Sequence, residues 1–200
     1  MLQRRRIFKQ IAIIIAKILA PLFYSRRYLA GRHFADDGGG WIWALKGIWF
    51  QKILGFNRRV PWPVSPFVTI SNPENIVWHP DDLNNFQSPG CYWQNFAAKI
   101  VVGRGTYIAP NVGLITANHD PLNLDQHLAG QDIILGESCW IGMNAVILPG
   151  VELGPHTIVA AGAVVTKSFP EGYCIIGGVP AKILRRFSPE EVALLKGREK

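Results

Sequence analysis

The sequence predicts a mainly β protein: a left-handed parallel β-helix with an N-terminal amphipathic helical region and a short C-terminal helix. Three observations predict it. Leu135, Ile141, Ile147, Leu153, Val159 and Val165 recur at every sixth position and are all aliphatic. Four positions after each stand Cys139, Ala145, Val151, Thr157, Ala163 and Phe169, which are mostly small. The same register appears upstream at Val102, Ile108 and Leu114, with Thr106, Val112 and Asn118 at the fourth place after each. A period of six fits neither an amphipathic helix nor an alternating strand. It fits a chain that turns a corner every six residues, closes a triangular coil after eighteen, and points one aliphatic side chain inward from each face. Gly136, Gly142, Gly150, Gly154 and Gly162 are expected to relieve the corners.

The remaining elements follow in chain order. Residues 1–60 form a basic, Trp-rich amphipathic helical region. Arg4, Arg5 and Arg6 precede an apolar run from Ile7 to Phe23, interrupted by Lys9, Gln10 and Lys17. At 100° per residue, Arg6, Lys9, Gln10 and Lys17 share about a third of the helix circumference and most of the Ile and Leu lie elsewhere. A membrane span needs about 20 apolar residues, so this run fits a helix lying in the membrane interface with its lysines turned outward. Pro21 kinks or ends it. The lysines inside the run, and the lack of a small-x-small cleavage site, argue against a signal peptide. After Gly38, Gly39 and Gly40, Trp41, Trp43 and Trp49 alternate with aliphatic residues, with Lys46 and Lys52 among them. Tryptophan favours the membrane–water boundary, so this stretch predicts a second docking segment; the alternative is packing of the two helices on each other or on a neighbouring subunit.

The β-helix domain is expected over 61–187, with coils from about Phe67 to Leu184. Leu114 to Leu135 is not a multiple of six, so the register slips there, and 120–132 is expected to be a loop excursion of functional importance. Residues 188–200 form a capping helix: Ser188 is the N-cap, Pro189 takes the first position and Glu191 completes a capping box.

Charge and cysteine usage narrow the function. The net charge of +7 is unevenly distributed. Residues 1–60 hold 12 Lys/Arg against 2 Asp/Glu, and residues 61–200 hold 9 against 12. The basicity belongs to one end, and without a recognition motif it does not indicate nucleic acid. Cys91, Cys139 and Cys174 make neither a disulfide framework nor a zinc pattern, which points to a reducing compartment.

Three segments carry a resemblance to a known family. They are Ile108-Ala109-Pro110-Asn111-Val112 running into Asn118-His119-Asp120, then Cys139-Trp140-Ile141-Gly142 followed by Ile147-Leu148-Pro149-Gly150-Val151, then Ala161 to Lys167 running into Gly177-Gly178-Val179-Pro180-Ala181-Lys182. Residues 90–186 resemble the hexapeptide-repeat acyltransferase superfamily, most closely the galactoside and maltose O-acetyltransferases and the polysaccharide-tailoring acetyltransferases. The resemblance implies a homotrimer that uses acetyl-CoA, without a metal, in a groove between subunits. It implies direct transfer to an acceptor hydroxyl with His119 as general base, since a hydroxyl needs its proton removed in the transition state. It places Trp140, Met143 (where galactoside acetyltransferases have a serine), Ala161, Thr166, Lys167, Arg185 and Arg186 near CoA. Asn95, Asn118 and Asp120 fall near the acceptor. The expected acceptor is a sugar hydroxyl of a lipid-linked or cell-surface glycan, met at the cytoplasmic face of the membrane.

Other functions share this scaffold. An antibiotic or other small molecule is an alternative acceptor. A zinc carbonic anhydrase needs three convergent histidines, and His119 and His127 have no third partner at usable spacing. A non-catalytic scaffold would need neither His119 nor a CoA groove. His79, His127 and His156 read as structural or surface residues.

Overall fold

A computed structural model describes residues 2–36 and 38–198. Helices α1 (Leu2–Phe23) and α2 (Gly39–Gly47) come first, and α2 continues into a π-helical stretch, Ile48–Ile53. The strands follow as β1 (Thr69–Ile70), β2 (Ile76–Val77), β3 (Tyr92–Gln94), β4 (Ile100–Val102), β5 (Tyr107–Ile108), β6 (Gly113–Ile115), β7 (His119–Asp120) and β8 (Asn123–His127). They continue as β9 (Ile133–Leu135), β10 (Trp140–Ile141), β11 (Val146–Ile147), β12 (Glu152–Leu153), β13 (Thr157–Val159), β14 (Val164–Val165), β15 (Cys174–Gly177) and β16 (Lys182–Arg186). Helix α3 (Pro189–Arg198) ends the described chain.

The strands form the three faces of a parallel β-helix. The first face is β1-β3-β6-β11-β14, the second β2-β4-β9-β12, and the third β5-β10-β13-β15, with β16 added antiparallel at its end. The register follows from the six-residue period. Ile147 pairs with Val165, Ile141 with Val159 and Leu135 with Leu153, so each inward aliphatic sits on the one eighteen residues away. All nine aliphatic positions of the repeat are buried. So are the small residues four places on, except Asn118, where the chain leaves the coil.

The corner glycines divide into two kinds. Gly150 and Gly162 adopt positive φ, as expected, but Asn111, Ser138, Asn144 and His156 do the same at other corners. Gly136 and Gly154 are needed for another reason. A Cβ on Gly136 would lie 2.7 Å from the Gly154 carbonyl carbon, and one on Gly154 would lie 2.1 Å from the Pro170 carbonyl oxygen. They let successive coils approach rather than relieving the turn.

The open edge of the third face is closed by a side chain. Asn85, from a 3₁₀ segment over Pro80–Gln87, donates to the Thr106 carbonyl at 2.8 Å and accepts from the Ile108 N–H at 2.9 Å. Its amide replaces a neighbouring strand, which protects an edge that would otherwise be exposed. At the other end the capping box forms as expected. Glu191 Oε2 accepts from the Ser188 N–H at 2.8 Å, and Ser188 Oγ accepts from the Glu191 N–H at 3.3 Å.

The N-terminal region packs on the first coil, and their cores are continuous. Ala20, Tyr24, Phe34, Ala44 and Ile48 belong to the same cluster as the coil residues. Tyr28, Trp62, Trp78, Phe86 and Trp93 form a chain of ring contacts 4.7 to 5.2 Å apart at this junction. A polar clasp reinforces it. The Arg32 N–H and Nε donate to Asp81 at 2.9 and 2.7 Å, and the buried Asp82 accepts from the Gly105 N–H at 2.9 Å. Burial pushes the Asp82 carboxyl above its ordinary range, while the Arg32 N–H and Arg104 hold Asp81 below it.

Two expectations for residues 1–60 change. Trp41 and Trp43 do not face outward together with Trp49. Trp41 is half-buried, donates from Nε1 to the Phe34 carbonyl at 3.0 Å and meets the Phe34 ring edge-on; Trp43 tilts against His33. Lys9 and Lys17 are exposed as expected, but the apolar residues of α1 are exposed too. Ala16, Ala20 and Ile13 face the body, Lys17 lies 5.8 Å from the Trp41 ring centre, and Ile7, Phe8, Ile11, Ile14, Ile15, Ile18 and Leu22 are exposed as one stripe. Small alanines let α1 approach the body closely, and the bulky aliphatics are left outside. No described helix is long and apolar enough to cross a membrane.

Candidate active site

The excursion is a β-hairpin standing off the corner between the first and second faces. β7 and β8 pair antiparallel, with His119 opposite His127. Local side chains shape its turns: Asp120 Oδ1 accepts from the Leu122 N–H at 2.8 Å, and Asn123 Oδ1 from the Asp125 N–H at 3.2 Å. Both are Asx turns, in which a short polar side chain stands in for a backbone partner. The base is closed by the Leu128 N–H donating to the Asn118 carbonyl at 2.9 Å.

The buried side chain of Gln94 anchors that base. Its Nε2 donates to the Ala117 carbonyl at 2.9 Å, and its Oε1 accepts from the Thr116 and Ala117 N–H groups at 2.9 and 3.1 Å. Sequence reasoning missed Gln94. The signal was an uncharged polar residue between a buried Trp93 and Asn95, where repeat positions are apolar.

His119 is exposed, and its Nδ1 lies 2.7 Å from the Leu124 carbonyl oxygen. A carbonyl only accepts, so Nδ1 carries the hydrogen, and in the neutral imidazole Nε2 carries the lone pair. The His127 ring lies against His119 with centroids 4.1 Å apart, and Phe96 meets His127 edge-on at 5.0 Å. These contacts fix the direction in which the imidazole points.

The other sequence-derived candidates divide among separate places. Thr166 and Lys167 follow β14 at the same corner as His119, which follows β6. Since β6, β11 and β14 are successive strands, Lys167 lies two rungs from His119 along the helix axis, about 10 Å. Met143 and Ala161 occupy the next corner, between the third and first faces, and Trp140 lies on the third face between Tyr107 and Ile158. All three are exposed. Arg185 and Arg186 stand on β16; Arg185 is paired with Glu191 of α3, while Arg186 is exposed. Within one chain, then, a full face of the prism separates the His119 corner from Trp140, Met143 and Ala161.

Of the acceptor candidates, Asn118 and Asp120 flank His119 on the hairpin. Asn95 is fully buried, and its amide is engaged by the Asn72 backbone: Oδ1 accepts from the Asn72 N–H at 3.0 Å, and Nδ2 donates to the Asn72 carbonyl. It holds a neighbouring segment in place rather than presenting a free amide.

Two further features bound the chemistry. The three thiols are buried, and burial pushes Cys139 up to about 11. A thiol of that pKa inside the coil is no nucleophile at neutral pH. Among the described residues, no three His, Cys, Asp or Glu side chains converge as a metal site would require.

Known proteins are similar to parts of this chain. The family model described as bacterial transferase hexapeptide (six repeats) matches residues 132–167. A putative acetyltransferase of Saccharomyces cerevisiae is 37% identical over 98 residues, 47% of this chain and 49% of that protein. The galactoside O-acetyltransferase of Escherichia coli is 32% identical over 110 residues, 50% of this chain and 53% of that protein. Chloramphenicol acetyltransferases also match, one from Agrobacterium fabrum at 41% over 70 residues, 34% of this chain and 33% of that protein. The chain spans about half the length of the curated relatives it matches. The solved structure of a galactoside acetyltransferase in complex with coenzyme A superposes with a TM-score of 0.56 at 20% identity, covering 92% of this chain and 84% of that one. That likeness concerns the fold, and the family model concerns the repeats over 132–167. Together with the six-residue register, they make this chain similar in its repeats and in its fold to the hexapeptide-repeat acetyltransferases.

Proposed function

We propose that this protein transfers an acetyl group from acetyl-CoA to a sugar hydroxyl, with His119 as general base. The observation that carries the proposal is the 2.7 Å contact of His119 Nδ1 with the Leu124 carbonyl. It engages Nδ1 with the hairpin's own backbone, so in the neutral imidazole the lone pair is on Nε2. When bound, acetyl-CoA supplies an acyl group already activated as a thioester. The chain's own task is to take the acceptor's proton as its oxygen attacks, which His119 Nε2 is disposed to do. The buried thiols favour direct transfer without an acyl-enzyme.

The residues present fit the donor. Trp140 offers an exposed flat ring, Met143 and Ala161 leave an open corner, and Thr166 and Lys167 extend from the His119 corner. Arg185 and Arg186 offer guanidinium groups for phosphate. These groups lie on two corners of one prism, so a groove that uses both requires a second copy of the chain. We infer a homotrimer, with Trp140, Met143 and Ala161 of one subunit facing His119 of the next. The exposed stripe of α1 supports attachment to the cytoplasmic leaflet, where acetyl-CoA and a lipid-linked glycan meet.

The test is free-thiol release from acetyl-CoA against a panel of sugars, with chloramphenicol included because chloramphenicol acetyltransferases are similar to part of this chain. A sugar is expected to be the faster acceptor, and His119→Ala should lower turnover about 100-fold or more, the usual scale for losing a general base. Faster turnover of chloramphenicol would move the acceptor to the antibiotic class. Full activity of His119→Ala would remove the mechanism, and a fully active monomer by light scattering would remove the trimer.

A further inference from the structure

We infer that a cleft beside the candidate active site binds a phosphate or pyrophosphate group, such as the one that joins an acceptor sugar to its carrier. The inference rests on the acetyl-transfer reading for its biological sense, but not for its test. The cleft lies where the N-terminal region meets the first coil and has a volume of about 660 Å³. That is within the range of small-molecule sites and large enough for a sugar with a diphosphate. Its lining includes Arg27, Arg59, Ser71, Asn72, Glu74 and Phe96.

Three features make it more than a crevice between two packed units. The first is charge. Arg32, Arg104 and Arg185 are each paired with a carboxylate. Among the described residues no carboxylate pairs with Arg27 or Arg59, although both line the same cavity. Arg27 is also held in place: its guanidinium lies 4.4 Å from the Tyr28 ring centre and donates to the Tyr28 hydroxyl at 2.6 Å. An arginine fixed this way binds a phosphate oxygen with less entropy lost than a free one.

The second feature is the rigid wall. Asn72 is clasped on both its N–H and its carbonyl by the buried Asn95, so the backbone that Asn72 contributes to the lining is fixed. The third is continuity with His119. Phe96 lines the cleft, meets His127 at 5.0 Å, and His127 meets His119 at 4.1 Å. A phosphate held by the arginines would leave its attached sugar extending past Phe96 toward the imidazole. Arg27 also comes shortly after the end of α1, and the Ser25 N–H donates to the carbonyl of Pro61, another lining residue. The cleft therefore opens at the foot of the helix that carries the exposed apolar stripe. This is where the phosphate of a lipid carrier would lie if α1 rested on a membrane.

Calorimetric titration of the full chain with inorganic pyrophosphate, without acetyl-CoA, tests the inference. The unmodified protein should bind pyrophosphate with saturation, and one saturable site per chain should remain in Arg185→Gln with Arg186→Gln, which removes the guanidinium groups proposed for the CoA phosphates. Arg27→Gln with Arg59→Gln should weaken binding at least tenfold, and Lys196→Gln, outside the cleft, should leave it unchanged. The variant Arg27→Lys with Arg59→Lys keeps the charge but loses the planar fork, and should fall between; it also serves if the glutamine pair fails to fold. Non-saturating binding, or equal weakening in Lys196→Gln, would overturn the site. Displacement of pyrophosphate by a lipid-diphosphate sugar in detergent micelles, but not by a nucleotide-diphosphate sugar, is expected and identifies the lipid carrier; the reverse would reassign the source to a soluble nucleotide sugar. Displacement by neither would overturn the acceptor role. Since no donor is present, failure of acetyl transfer would leave these readings intact.

Discussion

Ile141 and Ile18 are the same residue type with opposite fates. Ile141 is 0% exposed, locked between Ile108 and Val159 on the third face. Ile18 is 67% exposed and, with Leu22 at 75%, projects from α1 into open space. In the coils, each aliphatic side chain meets its equivalent one coil above and below, so burial is built into the repeat. In α1 the helix has two faces to offer, and the one that packs is lined by Ala16 and Ala20. Packing distance decides this as much as hydrophobicity does: small residues allow close approach of backbones, while larger ones would hold the helix off. Burial in the coils supports the fold, whereas the exposed stripe contributes little to it and is available for something outside the chain.

The largest expected effect tests the coil half of this contrast. Ile141→Ala should destabilise the protein by about 2 to 5 kcal/mol, the range for large-to-small changes in a rigid core. Chemical denaturation would measure it. A loss under 1 kcal/mol would mean the coil interior relaxes around the cavity and is less rigid than its register implies.

The next effect lies at the joint between the two regions. Asp82→Ala removes the acceptor for the Gly105 N–H and a carboxylate 3.7 Å from Arg32. The loss should be about 1 to 3 kcal/mol, the range for leaving a buried donor unsatisfied. Asp81 still holds Arg32, so the clasp should weaken without opening. Because the core runs continuously across the joint, a thermal melt should keep one transition at lower temperature. Two separated transitions would show that the N-terminal region and the coils are distinct cooperative units.

These contrasts also explain what the sequence made legible. The coils were readable because each of the positions from Leu135 to Val165 must be aliphatic for the prism to close. The cap was readable because Ser188 and Glu191 satisfy each other locally. His119 stood out as a candidate through its neighbours in the motif, but its hairpin did not: Asn123 to His127 is wholly exposed, so no alternation of apolar and polar residues marks it. The Asn95 and Gln94 amides were opaque for a related reason. Their partners at Asn72 and at Thr116 and Ala117 lie more than 20 positions away, and nothing in the local sequence indicates them. The orientation of α1 was opaque too. A helical pattern says which residues share a face, and only packing says which face turns inward.

The smallest expected effect on stability is the most informative about α1. Ile14 and Ile18 lie on the exposed stripe and are not members of the core cluster. Serine and isoleucine have similar helix propensities, so Ile14→Ser with Ile18→Ser should change stability by no more than about 0.5 kcal/mol. Removing residues 1–60 would not be a fair comparison, since Tyr24, Phe34 and Ala44 belong to the shared core and the loss of Tyr28 would uncover Trp62. The double variant leaves that core intact. If α1 rests on a lipid surface, the full chain should sediment with anionic vesicles, aided by exposed basic residues that contribute roughly 1 kcal/mol each near the surface. The two isoleucines should contribute about 2 to 4 kcal/mol of apolar transfer, so the variant should partition at least tenfold more weakly. Unchanged sedimentation would exclude this stripe as the lipid contact. Loss of the oligomer with no change in vesicle binding would show instead that the stripe is buried between copies of the chain, and the contrast with Ile141 would disappear in the assembled protein.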